Sequence, residues 1–160
     1  MNKQEFVKEL NKQYNNDAVV EAALKIIESS IREKDNVYFT SPDVVKKFLI
    51  LNFRNNPNEI FCVLFLDNKH RVIAFDKMFQ GTVNQSHIHP RVIIQKAIEY
   101  NAAAIILSHN HPSGDLTPSE SDRLLTKKLK EILEVIDVRV LDHFIVCPND
   151  TYSMAQNGDM

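Results

Sequence analysis

Apolar runs separated by polar breaks predict several short strands along the chain. Residues 60–66 are continuously apolar, a pattern typical of a strand that is covered on both faces of a sheet. The polar break at 67–69 and the extended pattern at 71–79 predict that this strand continues into a hairpin. Further strands are predicted at 102–107, 138–147 and 151–154.

Three helices are predicted, one before these strands and two between them, because apolar residues recur there at intervals of three and four. The first two begin at Pro42 and Pro90, since proline suits the first turn of a helix. The third runs from 118 to about 135, with Thr117 as its N-cap and Glu120 completing a capping box. Its apolar face is formed by Leu125, Leu129, Ile132, Leu133 and Ile136.

The start of the chain carries separate helical patterns and precedes the strands. We therefore expect an N-terminal helical segment over 1–35, which serves in packing or in a homodimer, and a second domain over 36–160. The order of elements in the second domain predicts a mixed α/β (α+β) fold, in which helices flank a central mixed sheet.

Composition and charge narrow the classes of protein. The formal net charge of −2 over 160 residues gives no overall attraction for nucleic acid. No apolar stretch approaches the roughly 18 residues that a membrane span needs, and the polar start does not resemble a signal peptide. We expect a cytoplasmic protein without membrane association, in which Cys62 and Cys147 are buried, reduced thiols.

The stretch 108–115 holds the main candidate chemistry. His109 and His111 lie two positions apart at the end of a predicted strand, so their side chains should point to one side. Asp122 follows in the first turns of the third helix. Two imidazoles and one carboxylate, with a fourth position open to water, form a catalytic type of zinc site. Local chemistry alone fits a polar turn without a metal equally well.

Several separated motifs resemble one family. His109-x-His111-Pro112 followed by Ser119-x-x-Asp122 resembles the JAMM motif of the JAB/MPN metalloproteins. The string 109–115 resembles their RadC-like branch, and so do Gly81-Thr82, His89-Pro90-Arg91 and Leu141-Asp142-His143. The resemblance covers roughly residues 38–155. It implies a three-layer, cytidine-deaminase-like fold and one zinc ion per chain on His109, His111 and Asp122.

The resemblance also implies a zinc-dependent hydrolase, in which metal-bound water attacks an amide, peptide or isopeptide bond. A carboxylate should take the proton from that water. RadC-like sequences place it three residues before the Phe of a Phe-x-Gly-Thr run, which is Asp76 here, one methylene shorter than the glutamate of JAMM enzymes. Ser119, at the position of the JAMM serine, is expected to stabilise an oxyanion or to bond the first helical turn.

Other polar residues are expected around the site. His87 and His89 form a second His-x-His pair, but we expect His89 to orient a helix start or to line the substrate groove. Asp142 is a candidate acceptor for the second N–H of a ligating histidine, beside a plain structural role. Ser108 and Ser113 are expected to be supporting groups.

Three functions stay open on the sequence alone. The first is the hydrolase, acting on a peptide or protein. The second is a nucleic-acid role, since RadC-like proteins carry a historical DNA-repair label and many lie beside mobile elements; its support here is a set of basic residues on one helix, Arg123, Lys127, Lys128 and Lys130. The third is a metal-binding module with little hydrolysis. A zinc nucleobase deaminase is excluded, because its His-x-Glu and Pro-Cys-x-x-Cys elements are absent.

Overall fold

The computed structural model describes residues 42–54, 56–81 and 88–160, together with Ala18, Ala22 and Lys25. None of the helices in these parts is long and apolar enough to cross a membrane. The described elements are, in chain order, α1 (Pro42–Phe53), β1 (Glu59–Leu66), β2 (Val72–Gly81), α2 (Pro90–Glu99), β3 (Ala104–Asn110), α3 (Glu120–Glu134), β4 (Arg139–Val146) and β5 (Thr151–Ser153).

The five strands form one mixed sheet in the order β2-β1-β3-β4-β5. Strand β1 is antiparallel to both β2 and β3, whereas β3 and β4 are parallel and β5 returns antiparallel to β4. The central strands β1 and β3 are buried over almost their whole length, which explains their continuous apolar sequences. The predicted mixed α/β fold with a central mixed sheet is confirmed.

Helices cover both faces of the sheet. On one face, α2 and α3 contribute to a buried apolar cluster with β1 and β3; its members include Ile93, Ala97, Leu129, Leu133, Phe61, Val63, Phe65, Ile105 and Leu107. On the other face, Phe48 of α1 packs edge-on against Phe75 of β2, with ring centroids 5.0 Å apart. Each large side chain buried in this way stabilises the fold by about 1.5–3 kcal/mol.

The end of β3 is held in place by the asparagine between the two histidines. His109 lies directly opposite Phe61 of β1 and therefore faces α2 and α3, whereas Asn110 points to the other face. The Asn110 side chain accepts a hydrogen bond from the Ile60 N–H at 2.7 Å and donates one to the Asn58 carbonyl at 3.0 Å. These bonds fix the strand end that carries His109.

Helix α3 begins two residues later than the sequence predicts. Ser119 is its N-cap, and Asp122, not Glu120, closes the capping box. The prediction of Thr117 as the N-cap was wrong, because the Thr117 N–H donates to the Asp115 carboxylate at 2.8 Å and so belongs to the preceding loop. Ser-x-x-Asp and Thr-x-x-Glu fit the same capping pattern, so spacing alone did not distinguish them.

The predicted N-terminal helical segment lies outside the described residues, except for three positions. The chain divides into two units, Met1–Asp35 and Asn36–Met160. In the first unit, Ala18, Ala22 and Lys25 are helical and exposed. The role of this segment in packing or in a homodimer stays a prediction.

Candidate metal centre

Three potential metal ligands meet where β3 ends and α3 begins. The Nε2 atom of His109 lies 3.0 Å from Nε2 of His111 and 3.3 Å from Oδ1 of Asp122. Nε2 of His111 lies 3.8 Å from Oδ2 of Asp122. One ligand atom from each residue can be chosen so that all lie within 4.8 Å of one another. The structure thus brings together the three residues that the JAMM resemblance singles out.

The spacing of these atoms fits a zinc-sized ion. Zinc–ligand bonds of about 2.0–2.2 Å in tetrahedral geometry place neighbouring ligand atoms roughly 3.3 Å apart. The observed separations of 3.0, 3.3 and 3.8 Å bracket that value. Three protein ligands leave a fourth position open, as in catalytic sites and unlike closed structural ones. The donor set therefore fits a metal ion, and its identity as zinc stays a prediction.

His109 is buried, and a second histidine lies behind it. Its ring stacks on Phe61, with centroids 6.3 Å apart and planes inclined by 14°. Its Nδ1 atom lies 2.8 Å from Nε2 of His143 on β4, which is fully buried. Nδ1 of His143 lies 2.6 Å from Oγ1 of Thr126 on α3, and that hydroxyl lies 2.6 Å from the Asp122 carbonyl oxygen. The contacts lead back to the helix that carries the third ligand.

The surroundings of His143 favour its neutral form. Burial lowers its pKa well below the ordinary histidine value, and charge on His109 lowers it further. A neutral imidazole has one N–H donor and one lone-pair acceptor. His143 can therefore donate to only one of its two neighbours, Thr126 and His109, and must accept from the other.

His111 is held by the loop after β3. Its backbone N–H still bonds the Val146 carbonyl at 2.9 Å, and its Nδ1 lies 2.6 Å from the Asp115 carbonyl oxygen. A carbonyl only accepts, so Nδ1 carries the hydrogen and Nε2 presents its lone pair to the site. Gly114 makes the turn with a φ of +84°, a conformation that favours glycine, and its N–H donates to the His111 carbonyl at 3.0 Å.

Asp122 reaches the site from the first turn of α3. Its Oδ2 accepts hydrogen bonds from the Ser119 backbone N–H at 2.8 Å and from the Ser119 hydroxyl at 2.7 Å, while Oδ1 faces His109. Burial raises the pKa of Asp122, but the hydrogen bond and charge of His109 and the bonds from Ser119 outweigh it, so that the pKa lies well below its ordinary value. The carboxylate is therefore ionised, the form that binds metals.

A family model describing the RadC-like JAB domain matches residues 39–159. The chain belongs to this family. A UPF0758 protein of Pseudomonas syringae pv. tomato is 47% identical over 143 residues, which are 89% of this chain and 63% of the relative. One of Histophilus somni is 51% identical over 120 residues, 75% of this chain and 54% of the relative. The chain thus spans between 54% and 63% of the length of these two curated relatives.

In this RadC-like JAB domain the predicted proton acceptor, Asp76, lies on the same face of the sheet as the ligands but further along it. It pairs with Val63, which pairs with Leu107, two residues before His109. Its carboxylate accepts a hydrogen bond from the Tyr100 hydroxyl at 2.9 Å, which raises the pKa of Tyr100. Among the described residues, Asp76 forms no hydrogen bond or ion pair with the three ligands, and its catalytic role stays a prediction.

The remaining sequence candidates lie around the centre. The Ser119 hydroxyl donates to Asp122, so its role toward an oxyanion stays a prediction. His89 is the N-cap of α2 and contacts Phe79 edge-on, with centroids 6.1 Å apart, and it is not part of the ligand group. The Ser108 hydroxyl donates to the Cys62 carbonyl at 3.4 Å. His87 lies outside the described residues.

His143 and Thr126 were missed in the sequence, where Asp142 was the candidate partner of a ligating histidine. Of the two roles expected for Asp142, the structure shows the plain structural one. The Asp142 carboxylate accepts hydrogen bonds from the His143 backbone N–H at 2.7 Å, from the Ser153 hydroxyl and from the Ala155 N–H at 3.0 Å. Adjacent residues of a strand point to opposite faces, and only His143 faces α3. The motif Leu141-Asp142-His143 indicated the strand, but it did not show whether Asp142 or His143 faces the ligands.

A cleft of about 700 Å³ adjoins the centre. Its walls come from the end of α1, the loop after it, the end of β3 and the turn between β4 and β5. His111 and Pro112 form part of the wall, so one ligand borders the open space. The polar lining residues are Arg54, Asn56, Asn110 and Asn149. A volume in this range suits a small ligand or a short stretch of a longer chain.

Proposed function

We propose that this protein is a zinc-dependent metallohydrolase of the JAMM type, which cleaves amide bonds of the peptide or isopeptide kind in a peptide or protein substrate. The observation that carries the proposal is the meeting of two imidazoles and one carboxylate at tetrahedral spacing, with one position open. Zinc, when bound there, would lower the pKa of a coordinated water toward about 7 and polarise a substrate carbonyl. Membership of the RadC-like JAB family supports the same chemistry.

The chain's own residues supply the proton transfer in this proposal. Asp76 would accept a proton from the attacking water and deliver it to the leaving amine. General-base catalysis needs the carboxylate within hydrogen-bond reach of that water, about 2.6–3.2 Å. The Tyr100 hydroxyl donates to one oxygen of the Asp76 carboxylate, Oδ2. In this proposal the other carboxylate oxygen accepts the proton, because Tyr100 occupies only Oδ2.

The cleft beside His111 supports a chain-like substrate. Asn56 and Asn149 line it, and their side-chain amides can both donate to and accept from a peptide backbone. Ile50 and Leu51 add apolar lining for a side chain. We propose that the chain on one side of the scissile bond lies in this cleft.

Metal content is the first test. Purified wild type should hold about one zinc per chain, and a His109→Ala/His111→Ala double variant should hold none. His70→Ala, which removes a histidine from the turn between β1 and β2, is the matched control and should keep its zinc. A wild type that stays free of metal after reconstitution with zinc would contradict the proposal.

Hydrolysis is the second test, on linear and isopeptide-linked peptides followed by mass spectrometry. Asp76→Asn should keep its zinc and lose about 10²–10⁴-fold in kcat, the usual contribution of a positioned base. Tyr100→Phe frees the Asp76 carboxylate without removing it and should not reproduce that loss. Wild-type turnover that zinc chelation abolishes, but that Asp76→Asn leaves unchanged, would exclude Asp76 as the base.

A second candidate is a metal-binding module with little hydrolysis. In the described part of the chain Asp76 bonds Tyr100 and none of the three ligands, which favours this candidate. Zinc-loaded wild type without turnover on any of these substrates would support it over the hydrolase. The nucleic-acid alternative gains little support from α3. Its Arg123 bonds Asp159 at 3.1 Å, and its lysines at 127, 128 and 130 are followed by Glu131 and Glu134. Salt-dependent DNA retardation that survives His109→Ala would revive it.

A further inference from the structure

We propose that His143 and Thr126 form a positioning pair, which decides which nitrogen of His109 carries a hydrogen and thereby whether His109 can bind a metal. This inference rests on the proposed metal site and goes beyond its ligand set. It concerns two buried side chains that touch no substrate in the proposed chemistry.

The two histidine ligands differ in the partner of their second ring nitrogen. His111 bonds a backbone carbonyl, that of Asp115, which can only accept. Its tautomer is therefore settled by the loop. His109 bonds another imidazole, that of His143, which can accept or donate. The tautomer of His109 therefore depends on the next contact along, between His143 and Thr126.

The three contacts can run in two directions. In the first, His109 Nδ1–H donates to His143, His143 Nδ1–H donates to the Thr126 hydroxyl, and Nε2 of His109 keeps its lone pair for a metal. In the second, the Thr126 hydroxyl donates to Nδ1 of His143, and His143 Nε2–H donates to Nδ1 of His109. That direction places the His109 hydrogen on Nε2, where it blocks coordination. Only the first direction is compatible with a metal ligand.

The contacts of Thr126 favour the first direction. Its Oγ1 lies 2.6 Å from the Asp122 carbonyl oxygen and 3.8 Å from the Met154 sulfur, and both of these atoms are acceptors. In the first direction the Thr126 hydroxyl donates its hydrogen to the Asp122 carbonyl oxygen. In the second direction two oxygens would face each other at 2.6 Å with no hydrogen between them. The backbone of one ligand, Asp122, thus sets the tautomer of another, His109.

Substitution of Thr126 tests the pair without touching a ligand. Thr126→Val keeps the shape of the side chain and removes the acceptor of the His143 N–H. We expect zinc affinity, measured on the full chain by competition with a chelator, to fall about 10–100-fold, the usual effect of losing such an outer partner. Thr126→Ser restores the hydroxyl and should restore the affinity.

Thr151→Val is the matched control. Thr151 is also buried, and its hydroxyl makes no hydrogen bond within the described part of the chain. The same chemical change there should leave zinc affinity at the wild-type value. Thermal unfolding of each variant without metal shows that it is folded before affinities are compared. Wild-type zinc affinity in a folded Thr126→Val variant would overturn the proposal.

A second readout does not depend on metal. Long-range proton–nitrogen NMR of the histidine-labelled, metal-free protein should show the His143 hydrogen on Nδ1 in wild type and on Nε2 in Thr126→Val. A wild-type His143 with its hydrogen on Nε2 would overturn the pair. Failure of wild type to bind zinc would instead overturn the proposed function. The tautomer of His143 in the metal-free protein would still test whether His143 and Thr126 form the proposed pair.

Discussion

At the scale of single residues, buried polar side chains keep the strand ends in register. Asn110 uses both ends of its amide to close the junction between β1 and β3. A buried N–H left without a partner costs about 1–3 kcal/mol, more than the net gain from an average hydrogen bond. The side chain between the two histidine ligands therefore has a structural reason to be an asparagine.

Asn110→Ala should lower the free energy of unfolding by about 1–3 kcal/mol, because the Ile60 N–H loses its acceptor. Urea denaturation followed by circular dichroism measures this. Asn149→Ala, at an exposed position of the cleft wall, is the control and should change stability by no more than about 0.5 kcal/mol. Equal stability of the two variants would contradict the role given to Asn110.

Because of Cys62, we expect the free energy of unfolding to depend on pH in the alkaline range. Burial raises the pKa of its thiol from 9.0 to about 12. Below pH 9 the thiol is protonated in both folded and unfolded chains, and its contribution is fully present. Between about pH 9 and 12 the unfolded chain releases the proton and the folded chain keeps it, so the free energy of unfolding should fall by up to about 1.4 kcal/mol per pH unit.

Urea denaturation at pH 8, 9 and 10 checks this expectation. The loss of stability with rising pH should be smaller in Cys62→Ala, which retains Cys147 and all other titrating groups. Parallel losses in the two proteins would show that another group causes the pH dependence.

At the scale of elements, α3 combines two functions on one face. Leu129 and Leu133 continue the apolar cluster, and Thr126, Asp122 and Ser119 extend the same stripe toward the N-terminus at helical spacing. The capping box that starts the helix also holds one oxygen of the Asp122 carboxylate. Helix stability and ligand orientation are therefore coupled.

Ser119→Ala should cost about 1 kcal/mol of stability, as loss of an N-cap does. It should also weaken zinc binding, since Asp122 loses the hydroxyl that orients it. Ser119→Thr keeps the capping hydroxyl and is the control. Denaturation and zinc competition measure the two effects separately.

A loss of about 10²–10³-fold in the kcat of zinc-saturated Ser119→Ala would indicate the additional oxyanion role. An unchanged kcat at saturating zinc would confine Ser119 to capping the helix and orienting Asp122.

At the scale of the whole domain, the candidate centre links three consecutive elements and the loop between the first two. The ligands come from the end of β3, the loop after it and α3, and His143 adds β4. A metal that binds only the assembled arrangement stabilises the folded state by mass action. Zinc binding should therefore raise the free energy of global unfolding, and its effect should not be confined to the region of the ligands.

Addition of zinc at about 100 times its dissociation constant should raise the free energy of unfolding by about 2.7 kcal/mol. Calorimetric scans with zinc and with a chelator measure the shift in Tm. His109→Ala/His111→Ala should show no shift between the two conditions. A rise of equal size in that variant would mean that zinc binds elsewhere on the chain.

Features that depend only on local sequence patterns could be predicted from the sequence. The continuous apolar runs predicted β1 and β3, because a strand covered on both faces has no polar side. His109, His111 and Asp122 could be singled out because a strand end and the following helix turn place them close together without any distant contact. The short loop between these elements limits how far the ligands can separate.

Three features were decided only by tertiary structure. The start of α3 depended on whether Asp115 held Thr117 in the loop. The partner of Asp76 is Tyr100, a residue 24 positions away that approaches through the packing of α2. The partner of His109 depended on the register of β4, where a shift of one residue would present Asp142 instead of His143. Sequence spacing determined which side chains could bind a metal. Strand register and helix packing decided which groups form hydrogen bonds with His109 and with Asp76.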